Sequence, residues 1–327
     1  FSIILLIDIF DDNLKKTLTN FLAFNSAEIF KQLVKIFIFY SFLTILIFIV
    51  LNLFDFRSFI SLNLSMTLIS SGGFLPVNNL EAILTNQTKI IIFSLLMLIS
   101  FFSLFFLYNL LVYKKKGIKF IQEDIYLIAY LITLIFGFFL LVNKDINFSI
   151  IFLSISSSVS NIGFSLKNTP SYLSFIFIIL IIIGGSFFST SSGLRFLKLV
   201  SLFNFSINEI ISNAKPKNVF INKLFFSEKI LEKSDFYKYF LSILIFIISL
   251  IFLSTIVSIS GLSFEQSFKL SVLTLMNTVN SHMTLSNTLD FEQMSNFVKY
   301  FLIMFMIIGR VELLSILIIF KKFFLKN

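Results

Sequence analysis

Long apolar runs are the feature that most constrains what this chain can fold into. Six of them reach the length of about 20 residues that a bilayer crossing needs: 33–54, 88–112, 122–143, 171–194, 238–260 and 296–320. A shorter apolar stretch at 1–7 looks like the end of an earlier span. The 327 residues are 57% hydrophobic and 13% charged, with a mean hydropathy of +0.98, which excludes a soluble enzyme. The sequence predicts an all-α polytopic membrane protein.

The residue types present exclude several kinds of chemistry. The chain has no cysteine, so disulfides, thiolate catalysis and cysteine metal sites are excluded, and one histidine, His282, cannot build a multi-histidine centre. A membrane-bound acyl or glycosyl transferase would need acidic or histidine side chains clustered at one membrane face. The acidic residues outside the spans are instead dispersed: Asp55, Glu81, Asp145, Glu265, Asp290 and Glu292. We therefore predict a protein that is not an enzyme and needs no cofactor.

Basic residues are distributed unequally between the two sets of connections. If every run crosses the membrane once, nineteen of the 26 lysines and arginines fall on one side and six on the other, with Arg310 inside a span. The positive-inside rule places the larger set in the cytoplasm. The net charge of +9 is thereby explained as membrane topology, and we expect no nucleic-acid partner.

Three connections on the opposite side share one pattern. Residues 58–74, 150–164 and 264–281 each pass from an apolar stretch into serine, threonine and asparagine, and the first two end in Gly-Phe. These stretches are too short to cross a bilayer but apolar enough to dip into it. Irregular backbone at that depth is tolerated where it lines a watery cavity, and rows of carbonyls there replace an ion's hydration shell. The pattern predicts re-entrant pore helices leading into a cation filter, although a single Ser-Gly-Gly-Phe would favour an ordinary turn.

The predicted repeat unit is a span, a pore helix, a polar strand and a second span. Gly73, Gly163 and Asn280 recur at comparable intervals once an insertion near 200–236 is set aside. The predicted boundaries are a tail of an earlier repeat with a linker at 1–30, pore repeats at 31–116 and 117–203, a cytoplasmic linker at 204–236 and a last pore repeat at 237–327.

Small residues interrupt the fourth span. Within ten positions it contains Gly184, Gly185, Ser186, Ser189, Thr190, Ser191, Ser192 and Gly193. Glycine costs about 1 kcal/mol relative to alanine in a helix, and hydroxyls compete for backbone partners. We predict that this helix breaks or unwinds. A small-residue packing face is the alternative, but its residues would be spaced one turn apart.

Arg310 lies deep within the sixth span, where charged residues normally face a cavity or a partner. Glu312 is two positions away and so lies on a different helical face. We predict that Arg310 points toward the pore or the broken helix. An ion pair with Glu312 or another bundle residue is the alternative.

These residues together resemble a known family of transporters. The segments SSGGF at 70–74, SNIGFS at 160–165, IGGSFFSTSSGLRFLKLVSLF at 183–203 and IGRVELLSILIIF at 308–320 are similar in order and spacing to the membrane subunits of the Trk/Ktr/HKT superfamily of potassium transporters, most closely its bacterial Trk members. The resemblance implies four span–pore helix–span repeats around a pseudo-fourfold potassium filter. It further implies a homodimer in the bacterial cytoplasmic (inner) membrane and a cytosolic nucleotide-binding regulatory subunit that abuts 204–236 unless that segment is a plain linker.

The resemblance also implies roles for individual residues. Backbone carbonyls would hold potassium at nine filter positions: Ser71, Gly72, Gly73, Asn161, Ile162, Gly163, Thr278, Val279 and Asn280. The family's intramembrane gate loop maps onto 184–193, with gate residues Gly184, Gly185, Ser189, Thr190 and Gly193. The family's pore-facing arginine maps onto Arg310.

Two departures from the family pattern bear on function. Only three of the four repeats are present, residues 1–7 matching the end of the missing one, so we expect that this chain alone does not conduct. Asn280 stands where the family has glycine, which leaves selectivity for potassium over sodium open even though asparagine can adopt left-handed φ/ψ. His282, just outside that filter, is either a solvated mouth residue or a group that titrates near neutral pH.

The expected function is passive, channel-like potassium uptake driven by the inside-negative membrane potential, at about 2.3 kcal/mol per charge per 100 mV. A sodium or non-selective cation pathway is the alternative. An ion-coupled secondary transporter with its site at the broken helix is disfavoured, because Glu312 is the only acid well inside a predicted span.

Overall fold

The computed structural model describes residues 29–77, 80–104, 106–107, 121–141, 147–166, 169, 171–186, 189–214, 233–278 and 294–311. Within these ranges the chain forms ten α-helices: α1 Ile29–Leu53, α2 Ser58–Ser70, α3 Gln87–Met97, α4 Ile121–Leu141, α5 Phe148–Val159, α6 Ser174–Ile182, α7 Phe196–Ala214, α8 Lys233–Ser258, α9 Phe264–Leu275 and α10 Asn296–Val311. The same ranges contain one isolated β-bridge, Ile183 to Leu194, and no named strand. The predicted all-α class is confirmed.

The helices are arranged as three similar units. Unit A is α1, α2 and α3; unit B is α4, α5, α6 and α7; unit C is α8, α9 and α10. In each unit the short middle helix packs against the unit's own long helices, as α2 does on α1 and α9 does on α8 and α10. Between units, α3 packs on α5 and α6 packs on α9. The same step therefore relates unit A to unit B and unit B to unit C.

The middle helices are too short to cross a bilayer. Helices α2, α5 and α9 contain 13, 12 and 12 residues. At 1.5 Å per residue they span roughly 18–20 Å, whereas the hydrocarbon core is about 30 Å thick. They lie where the sequence predicts pore helices. Helix α9 begins with a capping box in which the Ser263 hydroxyl accepts from the Gln266 N–H and the Gln266 side chain accepts from the Ser263 N–H.

Two helical segments are long and apolar enough to cross a membrane by length and composition, Glu123–Leu140 and Tyr239–Ser258. Shorter apolar helices lie at Phe37–Leu53, Ser58–Ser70, Gln87–Ser100 and Phe148–Val159. Helix α1 turns large apolar side chains outward; Phe37, for example, is 60% exposed. Such a continuous exposed apolar face suits contact with lipid rather than water.

Two predicted spans are not continuous helices. The run predicted at 88–112 is helical only to Met97 in α3, passes through a 3₁₀ turn at Leu98–Ser100, and becomes helical again at Leu104. The run predicted at 171–194 is helical over α6 and then breaks as expected, and the chain becomes helical again only at α7. Helix α7 also continues to Ala214, past the predicted boundary at 203.

Three buried apolar clusters follow the three units and connect them. The cluster of unit A includes Leu64 and Phe93 and extends to Ile162 and Phe164 of unit B. The Phe93 and Phe164 rings stack with their centroids 5.7 Å apart. The cluster of unit C likewise takes in Ile181 from unit B. The residues that follow the middle helix of unit B are therefore held against the long helix of unit A.

Candidate ion pathway and gate

The three middle helices end in the same backbone turn. One or two positions after each helix ends, a residue that is not glycine has a positive φ: Ser71 at 48°, Asn161 at 56° and Asn277 at 57°. Each of these residues donates its N–H to a carbonyl three positions back, and the next residue donates to a carbonyl five positions back. We call Ser71, Asn161 and Asn277 the collar. A turn repeated at three equivalent places is a structural feature of the units, and not an accident of one loop.

The collar corrects the predicted register of unit C. The family mapping pairs Thr278 with Ser71, but the turn pairs Asn277 with Ser71 and Thr278 with Gly72 and Ile162. The contacts between units give the same answer. A Cβ added to Gly73 would overlap the carbonyl oxygen of Ile162, and one added to Gly163 would lie 3.2 Å from the carbonyl oxygen of Thr278.

Counted along the sequence from the collar, Val279 stands at the same distance as Gly73 and Gly163, and Asn280 stands one residue later. Both Val279 and Asn280 lie outside the described residues, as do His282 and Glu312. The predicted equivalence of Asn280 with the filter glycines therefore stays a prediction.

Seven of the nine predicted filter positions lie within the described residues and come together where the units meet. Gly73 contacts unit B at Ile162, and Gly163 contacts unit C at Thr278. Both glycines have left-handed φ values, 72° and 86°, which cost other residues about 1–2 kcal/mol. Glycine is suited to these two positions for two reasons. It adopts a positive φ without strain, and it lets the backbone approach a neighbouring carbonyl closely.

The segment between α6 and α7, which we call the gate loop, is described at 183–186 and 189–195, and its two ends are bonded together. Gly184 donates its N–H to the Leu194 carbonyl at 2.8 Å, and Leu194 donates to the Ile182 carbonyl at 3.0 Å. Gly193 has a φ of 97°, and a Cβ on it would lie 2.8 Å from the Cα of Gly184. The chain therefore leaves the helix after Ile182, as predicted, and the close approach of Gly184 and Gly193 leaves no room for larger residues.

Arg195 holds the gate loop together from inside. Its Nη1 atom donates to the carbonyls of Ser186, Ser189 and Ser191 at 3.1–3.3 Å, and to the Ser189 hydroxyl at 3.1 Å. Arg195 is one of the nineteen basic residues on the side assigned to the cytoplasm, and its sequence position alone did not predict this role. The available signal is its position: it directly follows a loop of small residues whose carbonyls have left a helix.

The gate loop docks on the break in unit A. The N–H groups of Ser186 and Ser191 donate to the carbonyls of Phe101 and Ser100 at 3.1 and 3.2 Å. Gly185 lies so close to the Phe101 carbonyl that a Cβ would overlap it. The interruption after α3 thus frees carbonyls that the gate loop satisfies, and each interruption supplies the hydrogen bonds that the other lacks.

Arg310 joins the gate loop to the end of α2. Its guanidinium donates to the Ser71 and Ser192 hydroxyls, each at 3.0 Å, and to the Ser70 carbonyl. The Ser71 hydroxyl in turn donates to the Thr190 carbonyl at 2.8 Å. Arg310 therefore points toward the broken helix and the base of the predicted filter, as the sequence predicts.

Asp124 is a buried acid near the start of the predicted span at 122–143, and its contacts bear on the break in unit A. Asp124 lies in the first turn of α4 and is fully buried. Its Oδ1 accepts from the Ser103 N–H at 3.0 Å, at the point where the chain of unit A becomes helical again, while Oδ2 has no hydrogen-bond partner. The carboxylate caps that helical restart, so its described contact is structural.

Comparison with solved structures agrees with this architecture. The chain is similar to the crystal structure of the potassium transporter TrkH from Vibrio parahaemolyticus, with a TM-score of 0.78 and 19% sequence identity, over 97% of this chain and 69% of the TrkH chain. The chain shares the fold of TrkH. At this identity the similarity to TrkH establishes a multi-pass membrane fold and not the roles of single residues. No protein-family model matches the sequence, and no curated protein sequence matches it.

Proposed function

We propose that this chain forms part of a protein that takes up potassium across the bacterial cytoplasmic membrane through a filter of backbone carbonyls. One observation carries the proposal: the same left-handed turn follows three helices, and the glycines after two of these turns, Gly73 and Gly163, closely approach a carbonyl of the next unit. Carbonyls brought together in this way can replace the water shell of a monovalent cation. The TrkH structure, a potassium transporter with the same fold, supports the choice of ion.

The middle helices add to the attraction for a cation. Helices α2, α5 and α9 end next to the predicted filter, and a helix C-terminus carries a partial charge of about −0.5. Three such ends near one axis favour a positive ion without placing a carboxylate there. Because no coupling step is needed, the membrane potential alone drives uptake, at about 2.3 kcal/mol per charge per 100 mV.

The gate loop and Arg310 form the barrier below the filter. Arg310 is exposed on the open side of its helix while it bonds to Ser71 and Ser192. A cation passing about 4 Å from it would meet a repulsion of about 4 kcal/mol at an effective dielectric constant of 20. In the arrangement seen here, uptake requires the guanidinium and the gate loop to move.

The remaining parts of the proposal rest on the family resemblance. We infer that potassium is the transported substrate and not a cofactor, that the working protein is a homodimer in the lipid bilayer, and that a cytosolic nucleotide-binding subunit regulates it. Helix α7, which continues from the gate loop to Ala214, is the natural route by which such a subunit would act on the gate loop.

One observation favours a second candidate function, sodium or non-selective cation uptake. Counted along the sequence from the collar, Val279 is the residue of unit C that corresponds to Gly73 and Gly163. Valine does not readily take a positive φ, so this side of the filter would present its carbonyls differently. A filter with one irregular side is less able to distinguish potassium from sodium.

The test is rubidium and sodium uptake in a bacterium that lacks its own potassium importers and expresses the complete reading frame. We expect rubidium uptake and growth at low potassium, both abolished by Gly163→Asp. Gly137→Ala is the matched control, because Gly137 lies in helix α4 with nothing within 4 Å of an added Cβ. Well-expressed protein that moves neither ion would refute the proposal, and sodium uptake without rubidium uptake would establish the second candidate.

A further inference from the structure

The collar side chains are bonded to the parts of the molecule that would have to move when the gate opens. The Ser71 hydroxyl donates to Thr190 in the gate loop and accepts from Arg310. The Asn277 amide donates through Nδ2 to the Met306 carbonyl of α10, the helix that carries Arg310, at 3.1 Å. The base of the predicted filter is thus tied to the gate in two units.

The third collar residue touches the gate loop without bonding to it. Asn161 is fully buried, and neither Oδ1 nor Nδ2 has a hydrogen-bond partner among the described residues. Its Nδ2 would lie 3.1 Å from a Cβ placed on Gly193. The gate loop therefore closes directly against Asn161, and all three collar positions meet a gate element through their side chains.

Ser71 differs from the other two in how its backbone is held. Asparagine enters the left-handed region with little penalty, because its short amide bonds locally, whereas serine does so at a cost of about 1–2 kcal/mol. Ser71 nevertheless has φ 48° and ψ 45°. The bonds of its hydroxyl to Thr190 and Arg310 are the contacts that offset this cost. Without these bonds the turn of unit A is free to relax. The next two residues in the chain are the filter positions Gly72 and Gly73, so their backbone would change with it.

We propose that Ser71 is a positioning residue that couples the gate to the filter: its hydroxyl holds the gate loop and Arg310 closed, and the same bonds hold the filter turn of unit A in shape. The inference rests on the proposed function. Its consequence is that gate opening loosens one side of the filter. By linkage, an ion that orders the filter stabilises the closed gate by the same factor.

Two substitutions separate the two halves of this role. Ser71→Gly removes the hydroxyl but keeps the turn, so we expect rubidium flux to rise about tenfold, which corresponds to about 1.4 kcal/mol, with an unchanged rubidium-to-sodium ratio. Ser71→Ala removes the hydroxyl bonds that offset the cost of the left-handed turn and keeps that cost, so flux should rise similarly while the ratio falls. Ser65→Ala is the matched control, since the Ser65 hydroxyl bonds only to Leu62 of its own helix.

A second readout does not depend on transport. The chain contains no cysteine, so a single Thr190→Cys reports on the gate loop through its rate of labelling by a charged thiol reagent in membrane vesicles. We expect Ser71→Gly and Ser71→Ala to raise that rate about tenfold and Ser65→Ala to leave it unchanged. Unchanged labelling in both variants overturns the coupling, whatever the transport result. Faster labelling in a protein that moves no ion upholds the coupling and rejects the proposed function instead.

Discussion

Substituting alanine for the two filter glycines should reduce transport more at Gly73 than at Gly163. Both glycines have positive φ, so alanine costs about 1–2 kcal/mol at either position. At Gly163 the added Cβ would lie 3.2 Å from the Thr278 carbonyl oxygen, a contact that a small shift relieves. At Gly73 the Cβ would overlap the Ile162 carbonyl oxygen, so the filter strand of one unit must be displaced.

The expected loss in rubidium influx is therefore roughly 5–30-fold for Gly163→Ala, the range that 1–2 kcal/mol represents, and greater for Gly73→Ala. Influx is measured in proteoliposomes at matched protein content, beside thermal unfolding in detergent. Gly137→Ala should unfold at a slightly higher temperature, because alanine is favoured by about 0.5–1 kcal/mol over glycine in a helix. Its rubidium influx should equal that of the wild type. Equal influx for Gly73→Ala and Gly137→Ala, or a larger loss at Gly163 than at Gly73, would refute the account of the filter contacts.

Three further predictions follow from the same contacts. Arg310→Gln should raise rubidium influx above that of the wild type. Arg310→Lys should give a smaller rise, because lysine keeps the charge but loses the planar fork of donors. Equal influx in the two variants would show that charge plays no part. Asp124→Ala should lower the free energy of unfolding in detergent by about 1–3 kcal/mol, because it removes the carboxylate that accepts from the Ser103 N–H. Asp124→Asn retains an oxygen acceptor, so its free energy of unfolding should be close to that of the wild type. A loss equal to that of the alanine variant would refute the capping argument. Val279→Gly should raise the rubidium-to-sodium uptake ratio, and an unchanged ratio would exclude this position from selectivity.

The sequence predicts those features that local composition determines. Glycine and hydroxyl residues cannot sustain a helix in the fourth span, and the chain indeed leaves the helix after Ile182. An arginine deep in an apolar run needs a polar partner, and Arg310 has three. In both cases the reason lies within a few residues of the feature itself.

Features that depend on distant partners were not predictable. The stretch from Leu98 to Ser103 contains neither glycine nor proline, and its helix is interrupted where the gate loop, about 90 positions later, bonds to it. Arg195 likewise acquires its role only after the gate loop has closed around it. Neither feature has a local pattern that distinguishes it from an ordinary apolar helix or a cytoplasmic charge.

The turn of unit C was not predictable for a different reason. Asn277 and Asn280 both suit left-handed φ/ψ, and the sequence has no glycine between them. Backbone bonding places the turn at Asn277, which donates to Thr274 while Thr278 donates to Leu273. The equivalence of Asn280 with the filter glycines, outside the described residues, stays a prediction.

The bonds of Arg310 also bear on how the protein is made. They connect α10 to positions 118 and 239 residues earlier in the chain. Domains of a growing chain form from the N-terminus onward, so units A and B enter the membrane and meet before the arginine that bonds to both has been synthesised. Arg310 is therefore the last of these bonding groups to be synthesised. A chain that ends before α10 therefore contains Ser71 and Ser192 without the guanidinium that links them.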